Sequence, residues 1–103
     1  MRRSIAVEVE GEKRDLTVPF EAIERIESRI SILDFLRSAA RYNPKISDVA
    51  WVVYCVLSSN GDKRTYSQVG EYVVDNFGEA SIIATEVSNN IFGAGPEKTD
   101  KKK

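Results

Sequence analysis

The chain is 103 residues long, 42% hydrophobic and 30% charged, enough for one compact domain and too apolar for wholesale disorder. Its 15 basic and 16 acidic residues leave a formal net charge of −1, so no global field draws it to nucleic acid or to an anionic membrane. There is no histidine, which removes serine–histidine and cysteine–histidine dyads, the common zinc frameworks and imidazole acid–base catalysis. The one cysteine, Cys55, has no partner for an intrachain disulfide, so stability must come from packing and a reducing compartment is expected. No stretch reaches the ~20 apolar residues of a membrane span. The basic start, Arg2-Arg3, turns acidic by Glu8 instead of running into a signal-peptide core, and cytoplasmic synthesis is the expectation.

In chain order, Ile5, Val7 and Val9 alternate with Ser4, Glu8 and Glu10, and the alternation resumes at Arg14, Leu16 and Val18. Period two on both sides of Gly11 predicts a β-hairpin over residues 4–18. A two-residue turn at Gly11-Glu12 pairs Val7 with Leu16 and sets Glu8 against Asp15; a four-residue loop pairs Val9 with Leu16. Either register keeps one apolar face. Pro19 opens a helix near 20–30, with Phe20, Ile23, Ile26 and Ile30 on one stripe. Ser31 and Asp34 cap a second helix, near 32–42, whose stripe is Ile32, Leu33, Leu36, Ala39 and Ala40; it stops before Asn43-Pro44.

Ser47 is read as the cap of a third helix, 48–59, closed by Asn60-Gly61. Val49, Val52, Val53, Val56 and Leu57 form one apolar stripe; Trp51, Tyr54 and Cys55 form another. A helix apolar on both sides is the centre of the domain or half of a subunit interface. Thr65 and Gln68 have capping-box spacing, with Ser67 a competing cap, ahead of a helix near 67–77 bearing Val69, Tyr72, Val73 and Phe77. Gly78 is expected to end it. A last helix, 80–92, carries Ile83, Ala84, Val87 and Ile91. The expected fold is α+β, mainly α: a short N-terminal β-hairpin and a bundle of four to five helices. One domain covers 1–93, and 94–103 is a flexible charged tail. Charge is uneven: residues 46–93 hold two basic and six acidic groups.

The chemistry in supply is thin. Glu71 and Asp75, and Glu21 and Glu24, have spacings that share a helix face, but both pairs fall on polar faces where neither member is desolvated for acid–base work. No Glu-x-x-His or calcium-loop pattern occurs, so no metal and no cofactor is expected, and Gly93-Ala94-Gly95-Pro96 lacks phosphate-loop spacing. Cys55 has no basic sequence neighbour to activate it and reads as a structural thiol. A helix-turn-helix at 66–92 is the remaining nucleic-acid candidate. No Lys or Arg lies between Arg64 and Lys98, so a duplex would be repelled and no nucleic-acid partner is expected. The aromatics favour protein binding. Trp51 and Tyr54 are either core or an exposed patch of the residue types that dominate interfaces, and Tyr72 and Phe77 are the further partner-binding candidates.

The order hairpin, Leu16-Thr-Val-Pro-Phe20-Glu-Ala-Ile-Glu24-Arg-Ile-Glu27, apolar helix Val49-Ala-Trp-Val-Val-Tyr-Cys-Val-Leu57, Thr65-Tyr-Ser-Gln-Val69-Gly-Glu-Tyr-Val73 and a final amphipathic helix resembles the small tail assembly chaperones of long-tailed phages, prophages and gene transfer agents. The resemblance implies a non-catalytic protein that coats the aggregation-prone tape-measure protein until tail-tube protein polymerises around it. Helix-in-groove binding and homo-oligomerisation through hairpin edges suit that role. In that family ribosomal slippage often appends a longer segment, for which Lys101-Lys102-Lys103 is one place; the simpler reading of these lysines is a solubilising cationic tail. The alternatives are a small structural component of the tail and a helix-turn-helix regulator.

Overall fold

The structure, a computed structural model, describes residues 4–41 and 44–92. The expected tail at 94–103, the glycine-rich segment at 93–96, and Tyr42 and Asn43 lie outside the described residues. A two-stranded antiparallel hairpin precedes five helices among those residues: β1 (Ser4–Val9), β2 (Glu12–Thr17), α1 (Phe20–Glu27), α2 (Ile32–Arg41), α3 (Ile46–Ser59), α4 (Tyr66–Asp75) and α5 (Phe77–Ile91). The class is α+β, mainly α, as the periodicities predict.

The hairpin register differs from both expected pairings. Ile5 faces Leu16, Val7 faces Arg14 and Val9 faces Glu12, so the turn is Glu10-Gly11. Both turn residues have positive φ, 54° and 84°, the signature of a tight type I′ turn in which glycine relieves one of the two left-handed positions. This register keeps Ile5, Val7, Val9 and Leu16 buried on one face. It also sets Glu8 against Lys13, removing the Glu8–Asp15 opposition of a Gly11-Glu12 turn. At the far end, Asn60 treats Thr17 as a neighbouring strand would. Its Oδ1 accepts from the Thr17 N–H (2.9 Å) and its Nδ2 donates to the Thr17 carbonyl (2.9 Å). That edge is thereby closed to a further strand at this point.

α3 is the central element. It packs against α1, α4, α5 and β2, and buries Val49, Ala50, Val52, Val53, Cys55, Val56 and Leu57. Cys55 joins the buried stripe, leaving Trp51 and Tyr54 half-buried on the other. The helix begins at Ile46 after Lys45, without a side-chain cap, so Ser47 is not the cap. It ends as expected. Gly61 (φ 89°) donates to Ser58 and Asp62 to Leu57, the paired bonds of a Schellman motif that needs a left-handed residue at Gly61.

Other helices correct the expected stripes. α1 buries Ala22 and Ile26 and stops at Glu27; Phe20 is 63% exposed instead of core. The Ser28 hydroxyl donates to the Arg25 carbonyl at 2.6 Å and the Glu27 carboxylate accepts the Ile32 N–H at 2.8 Å, so these residues serve a turn rather than another helical turn. Ser31 caps α2 through the Asp34 N–H, as its spacing predicts, but among residues 32–38 the buried ones are Ile32 and Phe35, with Leu33 exposed. Thr65 and Gln68 form the complete capping box, so α4 starts at Tyr66 and Ser67 is not the cap. Gly78 does not end α4. The break is Asn76 (φ −135°, ψ 52°), whose N–H and side chain both bond the Tyr72 carbonyl, while its own carbonyl accepts from Ala80 to start α5. Phe77 therefore opens α5.

Candidate partner-binding site

Two helices bring an aromatic cluster to one side of the molecule. Trp51 and Tyr54 project from the half-buried stripe of α3, one turn apart, and Tyr66 stands at the first position of α4, placed there by the Thr65 cap. The three ring centroids are 5.7–5.8 Å from one another, Trp51 and Tyr54 tilted at 34°, and Tyr66 nearly edge-on to both. These are favourable quadrupole arrangements. The C-terminal end of α1 and the turn after it cover the cluster with two guanidiniums, Arg25 on the helix and Arg29 two residues past its end. Arg29 lies 3.9 Å above the Trp51 ring centre and 5.5 Å from that of Tyr66, and Arg25 lies 5.4 Å above Tyr54. Trp51 Nε1–H donates to the Arg25 carbonyl at 3.1 Å, fixing the indole against α1.

The other two aromatic candidates are placed elsewhere. Tyr72 is buried on α4, and its hydroxyl donates to Glu79 of α5. The Glu79 carboxylate also accepts the N–H groups of the hairpin turn, Glu10 at 2.6 Å and Gly11 at 3.1 Å. Its pKa is lowered, chiefly by the Tyr72 hydroxyl and further by the turn amides; burial, and after it the Glu79 carboxylate, push the Tyr72 phenol well above the ordinary tyrosine value. Arg64 completes this clasp, bonded to Asp62 at 2.8 Å and paired with Glu10 at 3.4 Å, and it holds the Asp62 carboxyl below the usual carboxylate range. Tyr72 thus fastens the hairpin turn to the helices. Phe77 packs half-buried against the core at the start of α5.

The remaining sequence candidates are also located. Glu21, Glu24, Glu71 and Asp75 are all exposed, and no group of three or more metal-ligating side chains occurs among the described residues. Cys55 is fully buried and burial pushes its thiol up to about 11, opposed by the charges of Arg25 and Arg29. A single residue, Asn76, connects α4 to α5, and α5 turns Glu79, Ile82 and Glu86 toward an open groove of about 880 Å³ beside the outer hairpin face. No described helix is long and apolar enough to cross a membrane.

No protein-family model, curated protein or solved structure matches the chain. Of the ring-and-guanidinium cluster, sequence reasoning found Trp51 and Tyr54 and missed Tyr66, Arg25 and Arg29. The available signal was the four-residue spacing of Arg25 and Arg29, which on its own reads as a solvated helix face.

Proposed function

We propose that this protein is a non-catalytic tail assembly chaperone that holds a helical client, the tape-measure protein, through the face bearing Trp51, Tyr54 and Tyr66. The observation that carries the reading is that cluster. Trp, Tyr and Arg are the residue types that concentrate binding energy at protein interfaces, and here all three gather on one half-buried surface. The element order of hairpin, central apolar helix and two closing amphipathic helices supports the resemblance. α5 carries no basic residue and exposes Glu86, which weighs against the helix-turn-helix alternative.

A homo-oligomer with tail-tube protein as a further partner belongs to the same reading, because weak sites repeated along one client gain avidity when linked. Co-expression tests it. A tape-measure protein co-expressed with this chain should stay in the soluble fraction, and co-purify, only when this chain is present. A client equally soluble alone, or this protein found stoichiometrically in purified particles, refutes the chaperone role; the latter favours a structural tail component.

A further inference from the structure

The cluster holds two cations that the fold leaves without an anion. Among the described residues the ion pairs are Arg37 with Asp34, and Arg64 with Glu10 and Asp62; neither Arg25 nor Arg29 has a carboxylate within reach. Glu27, the nearest acidic residue in sequence to Arg29, is spent on the N–H of Ile32. Arg25 makes one long side-chain bond, 3.5 Å to the Ser58 hydroxyl, and the Arg29 guanidinium makes none with the described residues. A guanidinium has five donors, so most of this capacity is unspent. Ring stacking holds the planar head in place, lowering the entropy lost when a carboxylate is gripped. Arg25 stands over Tyr54 and Arg29 over Trp51, rings whose centroids are 5.8 Å apart, close to the ~5.4 Å pitch of a helix.

An apolar shelf continues from the rings. On α4, Tyr66, Gly70 and Val74 recur at four-residue spacing; nothing lies within 4 Å of where a Gly70 side chain would project, and Val74 is 58% exposed. Resting on the client-binding reading above, we propose that Arg25 and Arg29 are the specificity element of this face. They recognise a partner helix that presents two carboxylates one turn apart, beside an apolar stripe that lies on the ring shelf. An extended polyanion suits the surface less well. Exposed Glu21 and Glu24 share α1 with Arg25, and residues 46–93 carry six acidic against two basic groups.

Trp51 is the sole tryptophan and lies under Arg29, so its fluorescence reports the site directly. The whole chain is titrated with two short synthetic helical peptides, free of Trp and Tyr, that share one leucine stripe. They differ only in carrying Glu or Gln at the two flanking i, i+4 positions. The Glu peptide should bind about tenfold or more tightly than its Gln twin, with added salt narrowing the gap. Arg25→Gln and Arg29→Gln should each lower affinity for the Glu peptide about tenfold, while Arg37→Gln leaves it unchanged. Equal affinity for the two peptides, binding of neither, or tighter binding of a single-stranded DNA oligonucleotide overturns the proposal. The peptide comparison uses the unmodified chain and so survives any variant that fails to fold. A folded Arg25→Gln/Arg29→Gln double variant that still keeps the tape-measure protein in solution overturns this inference alone. An unmodified chain that binds the Glu peptide but does not protect that client overturns the chaperone reading alone.

Discussion

Removing the Glu79 carboxylate tests the clasp between hairpin and helices. In Glu79→Ala the N–H groups of Glu10 and Gly11 lose their acceptor, but they lie at an exposed turn and water replaces it, a loss of about 0.5–1 kcal/mol each. The Tyr72 hydroxyl is 6% exposed as a residue, so its stranded donor costs about 1–2 kcal/mol. The sum is about 2–4 kcal/mol, which in a domain of this size lowers Tm by roughly 8–30 °C. Thermal unfolding followed by circular dichroism measures it. Glu86→Ala, two helical turns on along the same helix and exposed, should move Tm by no more than a few degrees, about 0.5 kcal/mol or less. Equal shifts for the two variants would refute the reasoning.

The same contacts fix the pH dependence. The folded-state pKa of Glu79 lies below its ordinary value of 4.5, so its contribution is complete above that value and fades as pH falls through the lowered folded pKa. The Tm gap between the parent and Glu79→Gln should therefore be constant from neutral pH down to about 5 and close below 4.5. A gap that widens on acidification contradicts the lowered pKa.

Asn60→Ala removes the bonds to both backbone groups of Thr17 and should cost about 2 kcal/mol, with amide exchange at Thr17 accelerating more than at Ile5; unchanged exchange would show that the edge does not depend on Asn60. Gly61→Ala meets no steric obstacle but must adopt φ near 89°, so urea unfolding should register about 1 kcal/mol of destabilisation and an unchanged m-value. Cys55, buried with its thiol raised to about 11, should resist a thiol reagent at pH 8 in the native protein and react at once in urea; rapid native labelling would show that α3 opens.

Local signals in the sequence carried far. Alternation around Gly11 determined the hairpin, the Thr65–Gln68 spacing determined a cap, and Asn60-Gly61 determined the end of α3, because each depends on backbone geometry within a few residues. The all-round apolarity of α3 likewise marked the element that others must surround. What failed locally was a choice among near-equivalents. The turn settled on Glu10-Gly11, where cross-strand charges pair favourably, and the α4–α5 break settled on Asn76 rather than Gly78.

Faces were decided by tertiary packing. Phe20 fits the stripe of α1 as well as Ala22 does, yet the approach of α1 to α3 buries the small residue and leaves the large one out. The candidate site depended on packing most of all. Arg25, Arg29, Trp51 and Tyr66 come from three helices and the turn after α1, at positions up to 41 residues apart, and no periodicity records that distance. Periodicity tells which side of a helix is apolar; only the angle at which neighbouring helices pack tells which rings meet and which charges are left above them.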